Sequence, residues 1–366
     1  MTEAALSQQV LYSARPTLRL AGQADVRLSN LLIAMRMDES EGGMSRLELR
    51  LSNWVGIEGG GAEQAFGAQS DLKLGADLAV YAGDVQAPRE VFRGKVSAIE
   101  LLFSMGGAPE ITVLAEDALQ AARLARRSKT YADMSPAEVV REVAGALGLR
   151  PTVTGLTSPV DTWAQINESD LAFLRRLLAR FDADLQIVGE ELQVSPRGDV
   201  ARAEVELALF GQLVRARVIA DLSQQVTTVS AAGWNPVDGS AVSHEATQIT
   251  HGGPGSGRSG LSWLDEAFGN RQEHIGHLAV SSDAEAQAVA TAALDQRARR
   301  FVRIEGLSEG NPAIRVGTTV SVSGLSPQFD NRYFVCAASH VYDQTAGYRT
   351  EFSGECAFLA SPGAGA

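Results

Sequence analysis

The chain has 366 residues, 45% hydrophobic and 21% charged, a globular composition that excludes wholesale disorder and fibrous repeats and suffices for two to four structural units. With 32 Lys+Arg against 44 Asp+Glu the formal charge is −12, the wrong sign for a protein whose main partner is a phosphate backbone, so no specific nucleic-acid binding is expected. No apolar run approaches the roughly 18 residues of a membrane span, and Met1-Thr2-Glu3-Ala4-Ala5 lacks a leader's basic and apolar regions, so synthesis in the cytoplasm with no membrane span is expected.

In chain order, period-two alternation at Leu47-x-Leu49-x-Leu51, Leu72-x-Leu74, Leu78-x-Val80 and Ile111-x-Val113 predicts strands with one buried face. Residues 116–128 and 135–147 read as a helix pair. The second opens on Ser135-Pro136-Ala137-Glu138, a hydroxyl cap, a proline at the first helical position and a carboxylate at the third. Over 168–181, Leu171, Leu174, Leu177, Leu178 and Phe181 form one apolar stripe, and two short strands follow around Gly189-Glu190. Another strand covers Val226 to Val229. His251 to Gly257 has no apolar periodicity and reads as an exposed flexible loop. Ser282-Asp283-Ala284-Glu285 starts a helix running to about Arg300. Strands return at Ile314-x-Val316 and Val320-x-Val322, and a last hairpin turns near Gln344 to Gly347. Cys336 and Cys356 fall roughly opposite one another on its arms, as free buried thiols. The tail 361–366 is expected to fray.

The sequence carries an internal repeat. Leu72-x-Leu74-Gly75-x-x-Leu78-x-Val80 recurs 242 residues later as Ile314-x-Val316-Gly317-x-x-Val320-x-Val322, with Phe92 falling on Phe334 and Ile99 on Val341. Past a turn three residues shorter in the second copy, Ile111-x-Val113-x-x-Glu116 matches Thr350-x-Phe352-x-x-Glu355. Upstream, Leu47 to Trp54 resembles Thr227 to Trp234 at an offset of 180. These matches predict one strand module used twice, the second copy split by an insertion within 236–312.

No constellation demands catalysis. Glu273-His274-x-x-His277 lacks a third ligand and a helix, so no metal site is assigned. Gly255-Ser256-Gly257-Arg258-Ser259-Gly260 matches G-x-G-x-x-G, with Asp283 some twenty residues on. No βαβ unit surrounds it, and no cofactor is expected. Asp182/Asp184 and Glu190/Glu191 read as solvated charge, with a hydrolytic carboxylate pair as the unsupported alternative.

Several segments in order resemble the phage late control protein D family and the hub portion of VgrG proteins, the baseplate hubs of contractile tails and contractile injection systems. They are Asn167-Glu168-Ser169-Asp170-Leu171-Ala172-Phe173-Leu174-Arg175-Arg176-Leu177, Ala231-Ala232-Gly233-Trp234-Asn235-Pro236, Phe92-x-Gly94-x-Val96 with Glu116-Asp117, and Gly347-Tyr348-x-Thr350-Glu351-Phe352. The Glu168-Ser169-Asp170 cluster is expected to cap the helix that follows, with a partner contact as the alternative.

The resemblance implies an α+β, β-dominated fold with two related antiparallel β-barrels and a middle α/β domain. First barrel 1–118, middle 119–207 with 246–298, and second barrel 208–245 with 299–360 are the expected boundaries. It further implies a homotrimeric, pseudo-hexameric ring in a baseplate, partnered by an inner tail-tube protein, a spike on a separate polypeptide and other baseplate components. The acidic balance then serves a repulsive channel lining or solubility alone. The rival readings are a tail-tube or tube-initiator/adaptor protein, and a nucleotide-dependent enzyme using Gly255 to Gly260.

Overall fold

The computed structural model describes residues 12–56, 59–66, 70–84 and 86–360; the expected frayed tail lies outside them. The first stretch holds β1 (Tyr12–Leu20), β2 (Gln23–Ala24), α1 (Val26–Asn30), β3 (Leu32–Ser40), β4 (Arg46–Ser52), the small pair β5 (Trp54–Gly56) and β6 (Ala62–Gln64), β7 (Asp77–Asp84), β8 (Arg89–Leu102) and β9 (Glu110–Glu116). Next come α2 (Gln120–Leu124), β10 (Arg126–Met134), α3 (Pro136–Ala146), β11 (Arg150–Val153), β12 (Asp161–Ser169), α4 (Asp170–Ala179), β13 (Ala183–Val188), β14 (Glu191–Pro196), β15 (Glu204–Ala208) and β16 (Leu213–Ala220). A third stretch contains β17 (Thr228–Asn235), β18 (Ser240–Ala246), β19 (Arg258–Ser259), α5 (Gly260–Phe268), β20 (Gln272–Ile275) and α6 (Asp283–Arg299). The chain closes with β21 (Val302–Glu309), β22 (Thr319–Ser323), β23 (Asn331–Asp343), β24 (Gly347–Cys356) and β25 (Phe358–Leu359).

The fold is β-dominated, and its largest sheet contains the same five-strand order twice. In the first copy the neighbours run β7-β8-β9-β4-β3, and in the second β22-β23-β24-β21-β16. Backbone bonds fix the equivalence. Gly75 N and Gly317 N donate to the carbonyls of Val96 and Val335, while those residues' N–H groups donate to Ala76 and Thr318. Both glycines sit at positive φ, +78° and +90°, where a side chain is strained. Both long strands bulge just beyond, between Val96 and Ala98 and between Val335 and Ala337.

Three details of the expected repeat are corrected. Val96 answers to Val335, an offset of 239, so the three-residue difference lies in the β7–β8 connection, and neither Phe92 with Phe334 nor Ile99 with Val341 is an equivalent pair. The counterpart of β4 in the second copy is β21, since Leu47 faces Ala115 as Ile304 faces Gly354. Leu47 to Trp54 and Thr227 to Trp234 are therefore unrelated in the fold; two alternating strands that each end in a Trp look alike without sharing a place. The insertion lies between β16 and β21, because Met37 answers to Val218 (offset 181) and Leu47 to Ile304 (offset 257), which leaves 76 extra residues.

The two copies meet edge to edge, β3 pairing antiparallel with β23 from Ala34–Asp343 to Ser40–Ala337. The order from β16 to β2 is an open path, and among the described residues no pairing closes either copy into a barrel. Among the described residues neither end strand of that path, β16 or β2, pairs with a second strand.

Four apolar cores follow. The first is built by β1, α1, β3, β4 and β7 to β9, with Tyr342 and Tyr348 inserted from the second copy. The next packs α3 and α4 against β10 to β14, a third packs α6 on β17, β18 and β20, and the fourth fills the second copy. The expected helix over 116–128 is reduced to α2. From Arg126 the chain is a strand paired with β12, because Ala125 turns extended and Tyr131 and Trp163 then share the second core. Helix α4 starts at Asp170, since Glu168 and Ser169 still pair in β12. Helix α5 is a gain over the sequence reading, capped by Ser259 and burying Leu261 and Leu264.

Ser135 caps α3 as expected. It accepts from Glu138 N at 3.3 Å, while the Glu138 carboxylate accepts from Ser135 N at 2.8 Å. Ser135→Ala is expected to cost about 1 kcal/mol, read as a lower urea midpoint with an unchanged slope.

Candidate functional site

The most heavily built polar cluster lies where the cores meet. Arg299, at the end of α6, forks onto Asp182 at 2.6 and 2.7 Å, reaches Glu355 of β24 at 3.2 Å and donates to His251 O at 3.0 Å. Arg197, just past β14, pairs with Glu355 at 2.9 Å and with Glu41, and lies 3.7 Å from the Phe334 ring centre. Asp184 accepts from Gly42 N at 2.8 Å. One knot thus ties four distant parts of the chain together. Burial pushes the Glu41 carboxyl up to about 8, opposed by Arg197 and reinforced by Glu355 and Asp184. Burial alone would lower the Arg299 guanidinium, but Asp182 outweighs it and holds the group above its usual range. Asp182, expected as solvated charge, is ion-paired to Arg299, and Asp184 is buried, accepting from Gly42 N and Gln186 Nε2; of the four carboxylates only Glu190, ion-paired to Arg150, is well exposed.

A second cluster seals the β3–β23 joint. Glu39, buried, accepts from Arg315 at 2.5 Å and from Val316 N at 2.7 Å. Burial would raise its carboxyl, but these partners outweigh burial and hold it low. His340 lies fully buried beside it, Nδ1 2.7 Å from Tyr348 Oη, with Nε2 unpartnered among the described residues. Burial, aided by Arg315, pushes His340 down to about 3.

The imidazole is therefore neutral in the folded chain, and the unfolded chain takes up its proton first as pH falls. Stability assigned to His340 is complete above about 6.5 and is lost as pH falls toward about 3, at up to about 1.4 kcal/mol per pH unit. Glu41 acts with the opposite sign, favouring the folded state below about 4.5 and losing that contribution as pH rises through about 8. Comparing His340→Phe with the parent by urea titration between pH 4 and 7 isolates the histidine: the parent's stability minus the variant's should rise with pH up to about 6.5, by up to about 1.4 kcal/mol per pH unit.

The family-motif residues occupy three separate places. Asn167, at φ +48°, ends the exposed run of β12. Glu168 pairs with Arg176 at 2.5 Å, Ser169 caps α4 by accepting from Ala172 N, and Asp170 is buried against Gln165 and Arg127. Phe173 and Leu174 belong to the second core. Trp234 is 57% exposed on β17, and Pro236 lies in the turn after it. Gly75 and Gly317 stand at the equivalent turns before β7 and β22. The set does not converge on one pocket; most of it builds scaffold.

The glycine loop packs along one side, while His251, Gly253, Ser256 and Gly257 are exposed as expected. A Cβ on Gly255 would stand 2.1 Å from Cys356 Sγ, and one on Gly257, at φ +122°, 1.8 Å from Leu359 O. Gly260 abuts Gln225 and the Phe301 ring. These glycines let the loop lie against β24 and β25, which fills the space a phosphate cradle would need. His274 sits on β20 with Nδ1 3.1 Å from Ser230 Oγ, and among the described residues no group of three or more His, Cys, Asp or Glu is placed to hold a metal ion. Both cysteines are free, their thiols pushed up by burial to about 12 for Cys336 and about 11 for Cys356. They are not opposite: Cys356 faces Val302, and Cys336 occupies the bulge. No described helix is long and apolar enough to cross a membrane.

Comparison with known structures places this fold among tail proteins. The 43 kDa tail protein of prophage MuSo2 from Shewanella oneidensis is similar at a TM-score of 0.67 and 15% identity, over 93% of this chain and 97% of that one. A tail protein from Neisseria meningitidis MC58 follows at 0.62 and 11%, over 93% and 96%. The E. coli c3393 protein, a type VI secretion component described as similar to phage T4 tail proteins gp27 and gp5, gives 0.61 and 13%, over 94% and 77%. No curated protein matches the sequence. The family model described as the Alg8 N-terminal domain matches residues 56–344, well over half of the chain, and the protein belongs to that family.

Proposed function

We propose that this chain is a non-enzymatic baseplate hub of a contractile phage tail or phage-tail-like injection system, a homotrimer that joins a six-fold inner tube to a three-fold spike. One observation carries the reading: the same five-strand order occurs twice and is fused through β3 and β23 into one sheet. Three such chains present six similar units, which is what a threefold body needs to meet a sixfold one. The described residues of 12–118 make the first tube-like unit, and β15 and β16 with 301–360 the second. The remainder, including β17 and β18 under α6, makes the middle portion. The tube protein, a spike on its own polypeptide and other baseplate components are the partners, in a particle assembled from cytoplasmic subunits.

A tube or adaptor protein would supply one unit from each of six copies, and the doubled unit speaks against it. The packed Gly255 to Gly260 loop likewise speaks against a nucleotide enzyme. Solution mass tests the reading: three copies of 38.8 kDa, alone or with the spike protein added, support the hub. A stable hexamer would overturn it.

A further inference from the structure

The joint inside the chain specifies a joint between chains. Within one chain, β23 uses residues 337–343 to pair with β3. The equivalent stretch is 98–104, the end of β8 plus Phe103 and Ser104 just beyond it; it pairs with β9 through Leu102 on one side, and on the other side β7 reaches only as far as Lys95. The equivalent of β3 is β16, which pairs with β21 on one side and ends the sheet on the other. Among the described residues the joint is thus filled once, and both halves of a second one are open.

We infer that β16 of one copy pairs antiparallel with residues 98–104 of the next copy, in the register that β3 and β23 already use. Carrying that register across sets Leu101 opposite Val218, Leu102 opposite Arg217 and Phe103 opposite Ala216. The inference deepens the hub reading and rests on it for the number of copies.

Three observations support it. Phe103 is the counterpart of Tyr342; Tyr342 is 6% exposed inside the first core, whereas Phe103 is 60% exposed with nothing over it in the single chain. The inward positions of the filled joint, His340 with Met37 and Tyr342 with Met35, are buried. Their counterparts, Leu101 with Val218 and Phe103 with Ala216, are all apolar, so pairing would bury them on the same face. Charge agrees as well. Arg36 of β3 donates to Ser339 of β23 at 3.1 Å, and the counterparts are Arg217 and Glu100, opposite charges at the same diagonal. The new joint lacks the buried ion pair of the internal one, because Ala220 and Lys73 stand where Glu39 and Arg315 do. It joins separate copies through main-chain bonds and an apolar face, by strand addition to a free edge. Because the two halves differ, the contact is head-to-tail and builds a ring.

Paired cysteines read the register, since directly opposite residues of antiparallel strands hold Cβ atoms about 4.5–5.5 Å apart, near disulfide reach. Leu102→Cys with Arg217→Cys, mildly oxidised and run on a denaturing gel without reductant, should give linked chains ending in a closed three-chain species. Leu102→Cys with Val218→Cys, shifted by one residue onto opposite faces, should give none. If the parent has the mass of three copies but neither variant links, or both link equally, the pairing is overturned and the hub reading stands. A closed two-chain product keeps the pairing and refutes the three-copy hub. No linkage and no association up to the solubility limit overturns the pairing. Phe103→Asp should abolish association while leaving the circular dichroism of the single chain unchanged; retained association counts against the inference.

Discussion

Arg299→Ala is expected to destabilise the chain by about 3–5 kcal/mol, because it leaves the Asp182 and Glu355 carboxylates facing each other without their shared cation. The guanidinium is 3% exposed and makes a bidentate pair with Asp182, so water cannot replace it without opening the contact between α6 and the turn after α4. Arg299→Lys keeps a charge but loses the fork and the bond to His251 O, and should lie between the parent and the alanine variant. Removing Arg299 and Asp182 together should cost less than the two single changes added. The measurement is the urea midpoint at pH 7. A shift below about 1 kcal/mol would show that the knot does not hold the cores together.

Gly257→Ala is expected to cost about 3 kcal/mol or more. A methyl group there would overlap Leu359 O, and the φ of +122° strains any side chain, so β25 must leave β19. Gly253→Ala is the internal comparison: its φ is also positive, but the nearest atom stands 3.8 Å away, so only backbone strain of about 1 kcal/mol applies. A free loop would tolerate both changes equally. A phosphate cradle would lose ligand binding at Gly257 and keep its thermal midpoint. Thermal midpoints of the two variants therefore separate a packed segment from both alternatives.

Local chemistry was legible wherever a residue acts on its own neighbours. The Ser135 cap, the apolar stripe of α4, the Ser282 start of α6 and the doubled Gly75/Gly317 turn are each written within a few residues. The strand Arg126–Met134 was not legible, because its partner β12 begins more than two dozen residues downstream and only one of its side chains, Tyr131, is buried. The three-residue slip between Phe92 and Phe334 escaped for a related reason: alternation repeats every two residues, so it marks a strand but hardly its register. Nothing near Glu39, Glu41, Arg197, Arg299 or Arg315 distinguishes them from surface charges; what brings them together is packing between segments 56 to 276 residues apart.

The amino-acid sequence alone determined that strands dominate, that one strand unit is used twice and where the main helices begin, since periodicity, turn glycines and caps are short-range devices. Tertiary structure alone decided that the two units join through β3 and β23, that the glycine loop is packed, and that two arginines tie the cores together. Those outcomes depend on which distant surfaces exclude water from one another, and no local pattern records that choice.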